Sequence, residues 1–165
     1  MRQEVDRIAA GLLSIHRGEI VCRAGCTDCC RNLSVWPVEF CAILDELRAE
    51  STAKLIFDGS ASCGFLKDGF CQIYPVRPLI CRTHGLPAAF EDDSAAEPEM
   101  AVSFCPKNFA GRDRQTLTFG PDNTLNLDWL NEQLSRIHTM FLEELAQENL
   151  PAHCRVELRE LIDFL

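Results

Sequence analysis

Four cysteines crowd into nine residues of this chain, as Cys22-Arg23-Ala24-Gly25-Cys26-Thr27-Asp28-Cys29-Cys30, a C-x3-C-x2-C-C run. Thiols at that density form disulfides, hold a metal or carry redox chemistry, and each choice implies a different way of folding. The two-residue gap between Cys26 and Cys29 lets both sulfurs reach one ion, at about 2.3 Å in the zinc case. Gly25 supplies the freedom to turn sharply at the start of that gap. Cys29 and Cys30 are adjacent and point differently, so they serve different metals or one stands behind the ligand shell.

The compartment chooses between staples and metal. Met1-Arg2-Gln3-Glu4-Val5-Asp6-Arg7 mixes acidic with basic residues and no apolar stretch follows, so it does not read as a secretory signal. A reducing cytoplasm is the expectation, and there dense cysteines mean metal or redox chemistry more often than disulfides. No apolar run approaches the roughly 18 residues of a membrane span. The net charge of -9 argues against a general affinity for nucleic acid or an anionic membrane. That charge is unevenly spread: residues 1–36, 59–90 and 101–115 carry +1, +2 and +2, and they hold eight of the 10 cysteines. Cationic neighbours favour thiolate over thiol and offset the charge of a thiolate-rich centre.

With 165 residues, 47% of them hydrophobic, the expectation is one small domain over 1–165, α+β and mainly helical. Packed amphipathic helices would surround an irregular, cysteine-rich, metal-stabilised centre with short hairpin or strand pieces. Val5, Ile8, Leu12 and Ile15 predict a first helix over 2–17 that stops near Gly18. Pro37 opens a second, with Val38, Cys41, Leu44 and Leu47 on one face, which places Cys41 in the core. Phe65-Leu66, Lys67-Asp68-Gly69 and Phe70 to Tyr74 read as a small hairpin, since Asp-Gly favours positive-φ turns. Residues 91–100 read as a solvated acidic loop, and 102–104 and 116–119 as short strands. Leu127, Leu130, Leu134, Ile137, Phe141 and Leu145 form a long helical stripe, and Val156 to Leu165 predict a final helix, so that the helices of 124–165 follow the motif.

Cys63 and Cys71 flank the Lys67-Asp68-Gly69 turn, which folds their sulfurs toward one centre, while Cys81 and Cys105 stand at irregular, proline-marked places. The candidate metal ligands are therefore Cys22, Cys26, Cys29, Cys30, Cys63, Cys71, Cys81 and Cys105, with Cys41 and Cys154 as packing residues. Arg77 and Arg82 bracket Cys81, either pairing with carboxylates or donating hydrogen bonds to sulfur and loop carbonyls. Tyr74 is expected to pack. His84, three residues after Cys81, is the one histidine placed to turn a structural site into a reactive one; its alternative is a local hydrogen bond. His16, His138 and His153 are assigned no role.

The C-x3-C-x2-C-C run, Cys63-Gly64-Phe65-Leu66, Gly69-Phe70-Cys71-Gln72-Ile73-Tyr74, Arg77-Pro78-Leu79-Ile80-Cys81-Arg82 and Cys105-Pro106 together resemble the zinc- or iron-chelating domain family of CxxCxxCC, or YkgJ-type, cysteine-cluster proteins. The resemblance covers about residues 20–107 in order. It implies small bacterial proteins whose cysteines bind zinc, iron or an iron-sulfur cluster, with a lysine N-methylase of flagellin among distant relatives, and it brings no assigned reaction.

Eight thiolates divide as two four-thiolate zinc sites, as one [4Fe-4S] cluster with supporting thiols, or as a multinuclear iron site, and spacing does not choose among them. Two functions of different class follow. One is a metal-binding protein whose zinc, iron or iron-sulfur centre is structural, electron-carrying or sensing, with a protein partner to dock on. The other is an iron-dependent oxidoreductase acting on a peptide or small metabolite. The sequence leaves substrate, partner and oligomeric state open, although the 127–145 helix offers a face for a dimer.

Overall fold

Helical periodicity decides the longest elements. The computed structural model describes residues 1–23, 25–49, 55–94, 97, 99–145, 151 and 153–165. In chain order the elements are α1 (Arg2–Ile15), β1 (Ser34–Val35), α2 (Pro37–Ala49), β2 (Leu66–Lys67), β3 (Phe70–Cys71), α3 (Leu79–Thr83), β4 (Ala88–Asp92), β5 (Glu99–Ser103), β6 (Leu125–Asn126), α4 (Leu127–Glu144), β7 (Val156–Glu157) and α5 (Leu161–Phe164). Single 3-10 turns span Arg114–Thr116 and Leu158–Glu160. The class is α+β, as the patterning predicts. Two compact units emerge, each assembled from two stretches: Met1–Arg23 with Leu79–Glu132, and Ala24–Pro78 with Gln133–Leu165.

In the first unit α1 buries Val5 and Leu12 and packs on α3. Asp6 on α1 takes Arg82 Nη1 at 2.6 Å, and the Arg82 side chain is only 4% exposed, so a charged hydrogen bond pins the two helices together. α3 was not foreseen: Pro78 precedes its first turn, where a proline is tolerated, and Thr83 Oγ1 bonds back to the Leu79 carbonyl at 3.2 Å. β4 is the middle strand of a three-stranded sheet, antiparallel to β5 and parallel to β6. The acidic stretch 91–100 is thus partly strand. Its charges lie on a sheet end that faces solvent, where Asp92 pairs with Glu99 across the hairpin, and an exposed rim leaves no apolar alternation to read. The strand expected at 116–119 does not form; Asp113 instead caps a 3-10 turn by accepting the Gln115 N–H at 3.0 Å.

In the second unit Val35, Phe40, Ile43, Leu44, Phe65, Ile73, Val76, Leu158 and Leu161 form the core. β1 and β7 pair antiparallel, with Val35 opposite Val156. The inner face of α2 is Phe40, Ile43 and Leu44, with Leu47 against it, one position round from the face read in the sequence. Cys41 consequently sits half-buried at the margin and is not a core residue. β2 and β3 make the expected hairpin, and Asp68 (φ 51°) and Gly69 (φ 81°) supply the two left-handed residues of a type I′ turn. The tail is a strand, a 3-10 turn and one turn of α5 where one helix was expected.

Candidate metal centre

Cys30 is the focus of the second unit. Burial, followed by repulsion from Cys29, Cys63 and Cys71 and a hydrogen bond with Cys29, pushes its thiol up to about 11. Burial also raises the Cys71 thiol; Cys63 adds to the rise, and the nearby charge of Arg77 opposes it. Four of the eight expected ligands therefore share one electrostatic neighbourhood. The local fold explains how. Asn32, two residues after Cys30, donates its backbone N–H to the Ser62 carbonyl at 2.9 Å, and its Oδ1 accepts the Gly64 N–H at 3.0 Å, so the double cysteine is clipped to the Cys63 segment. The β2–β3 hairpin returns Cys71 beside Leu66, and both Cys63 and Cys71 pack on the core. Gly64 leaves room for the Phe57 ring, which a Cβ at this position would overlap.

Cys26 is half-buried in the same unit. Cys22, Cys81 and Cys105 belong to the first unit. Cys22 and Cys105 both meet the Gly85 turn, where a Cβ would stand 3.2 Å from Cys22 Sγ and 3.4 Å from Cys105 Cβ, and Gly85 has φ +86°. The Cys105 N–H reaches the Gly85 carbonyl at 3.3 Å. Cys81 lies within α3, and is not at an irregular spot as the prolines suggested; two prolines close together masked a single helical turn. His84 follows α3, half-buried, its N–H bonded to the Ile80 carbonyl at 3.0 Å. Among the described residues no group of three or more Cys, His, Asp and Glu side chains is already gathered as a ready ligand set.

The two arginines part company. Arg82 pairs with Asp6, whereas Arg77 lies over the Tyr74 ring at 3.7 Å, donates to the Tyr74 carbonyl at 2.8 Å and directs charge at Cys71. Tyr74 is 59% exposed, against the expectation that it packs; the stacked guanidinium covers one face of its ring. Three buried polar residues went unread in the sequence. Asn108 and His138 carry no periodic signal of their own, and His16, at the end of α1, bonds the Asn123 carbonyl through Nε2 at 2.7 Å.

The donor chemistry suits a soft or borderline cation. Each candidate ligand is sulfur, and a cation among Cys29, Cys30, Cys63 and Cys71 would convert the mutual repulsion of their thiolates into attraction. A model of the CxxCxxCC family, described as a putative zinc- or iron-chelating domain, matches residues 21–106, about half of the chain. The chain belongs to this family. Metal binding in general follows from membership in the CxxCxxCC family. This member has three residues, not two, in the first gap of the motif. No curated protein and no solved structure matches the chain. No helix among the described residues is long and apolar enough to cross a membrane.

Proposed function

We propose that this CxxCxxCC protein chelates zinc or iron through cysteine thiolates, acting over residues 1–165 in a reducing cytoplasm. Cys29 and Cys30, although adjacent and expected to part, join Cys63 and Cys71 in one four-sulfur set, and Cys22, Cys26, Cys81 and Cys105 are the remaining ligands. The observation behind this reading is the Cys30 thiol, half-buried with three other cysteines as its electrostatic neighbours. The role that fits is structural. The four-sulfur set is carried by short strands, turns and a clip of two Asn32 hydrogen bonds, and residues 55–64 hold no helix or strand of their own. A bound ion supplies folding free energy to such a segment. Arg77 then offsets part of the negative charge that a four-thiolate centre carries.

Anaerobic purification followed by metal analysis and a visible spectrum tests this. Stoichiometric zinc in a colourless sample, or iron in a coloured one, is the expected result, and labile sulfide with a broad visible band identifies an iron-sulfur centre. Full-length, folded protein with neither metal, and no uptake of added Zn2+ or Fe2+, overturns the proposal.

A further inference from the structure

Asn108 is 2% exposed and lies just beyond the residues that the family model matches. Its side-chain amide is spoken for on both sides. Oδ1 accepts the Val21 N–H at 3.0 Å, and Nδ2 donates to the Gly85 carbonyl at 2.6 Å. The first partner is a donor only and the second an acceptor only, so the amide has one possible orientation. Nδ2 retains a second N–H, and Cys22 Sγ stands 3.8 Å from that nitrogen and 3.9 Å from Oδ1, so the thiol meets the amide edge with both a donor and an acceptor in reach. Gly85 makes the approach possible from the other side, since any Cβ there would press on the same sulfur at 3.2 Å. Asn108 also donates its backbone N–H to the Cys105 carbonyl at 2.9 Å, so one residue ties together Cys22, the Gly85 turn and Cys105.

We propose that Asn108 is a positioning residue for Cys22, holding its sulfur with the side-chain amide in the place from which it serves as a metal ligand. The inference rests on the reading of Cys22 as a ligand. An N–H aimed at an anionic sulfur is a charge-assisted bond, and donors of this kind orient ligands and tune the metal they serve.

Asn108→Asp keeps the shape and the acceptor for Val21 but replaces Nδ2, which donates both to the Gly85 carbonyl and toward the sulfur, with a carboxylate oxygen, so the part of its effect that passes through Cys22 is read from the double variant. The test compares the rate at which a competing chelator strips metal from the full chain in wild type, Asn108→Asp, Cys22→Ser and the double variant. Asn108→Asp should speed release about tenfold, the scale of a lost hydrogen bond to a charged group. Asn108→Asp should speed release much less in the Cys22→Ser background than in wild type, because only the loss of the Gly85 bond remains there. Multiplying effects in the double variant would show Asn108 to be a plain structural clip and overturn the inference, leaving Cys22 as a ligand. Unchanged release in Cys22→Ser, with metal lost in Cys30→Ser, removes Cys22 from the ligand set and the inference with it; metal retained in both removes the four-sulfur reading as well. If Asn108→Asp does not fold, Asn108→Ser takes its place under the same comparison.

Discussion

Gly64 lies between Cys63 and Phe65 in the second unit, and its replacement by alanine probes how tightly that stretch is built. The added Cβ would overlap three atoms of the Phe57 ring, far inside the roughly 3.5 to 4.0 Å at which carbon atoms rest. The ring must therefore move by more than 1 Å, and it is held edge-on to Phe65, centroids 5.5 Å apart. Overpacking costs about 1–3 kcal/mol and the lost aromatic geometry about 0.5–1.5, so Gly64→Ala should cost about 2–4 kcal/mol. In a chain of this size that is a fall in Tm of about 10 °C. The φ of Gly64 is outside the left-handed region, so the backbone itself accepts alanine. The cost should accordingly vanish in a Phe57→Ala background, where alanine at 64 becomes neutral or gains about 0.5 kcal/mol by restricting the unfolded chain. Thermal melts of the four proteins, with and without chelator, make the comparison. An equal penalty in both backgrounds would refute the argument from the Phe57 ring.

Cys30→Ser should release most of the bound metal and lower Tm, whereas Cys41→Ser, at the margin of α2, should leave metal content unchanged; metal analysis of both checks the division. His138 is buried with neither ring nitrogen hydrogen-bonded among the described residues, against the Trp36 ring and with Arg155 stacked on that ring, so burial first and the Arg155 charge second hold it below its usual 6.5. The unfolded state then binds the extra proton: stability is full above pH 6.5, falls as pH drops below it, and levels off under the folded-state value. His138→Phe should flatten that acid slope in melts run from pH 8 to pH 5. Asp6→Asn should cost about 1–2 kcal/mol by weakening the bond that pins α1 to α3, read as a lower urea midpoint at unchanged slope.

The chain announces its helices and its hairpin because each carries a local rule: apolar residues three and four apart in α1 and α4, a leading proline in α2, Asp-Gly between β2 and β3. What it conceals is set by distant partners. β1 is two residues long and exists because Val156 arrives from the far end of the chain, and β6 exists because Ala88 and Ala89 receive it. Within the site, Cys30, Cys63 and Cys71 were legible as candidate ligands from spacing and the turn. The division of the cysteines between two units was not, since Cys22 and Cys26 are four positions apart in sequence yet belong to different ones. Nor was the parting of Arg77 from Arg82, which share a motif but answer to Cys71 and Asp6. Asn108 had no periodic neighbour to betray it.

The pairing of β1 with β7 also sets an order of events during synthesis. Cys29, Cys30, Cys63 and Cys71 are made before Leu158 and Leu161, which the core of this unit needs, and Leu158 donates its N–H to the Leu33 carbonyl at 2.9 Å. The second unit can close only after Leu158 and Leu161 have been made. Until then Cys29, Cys30, Cys63 and Cys71 are carried on a nascent segment without its back wall, open to oxidants and to whatever metal the cell supplies first.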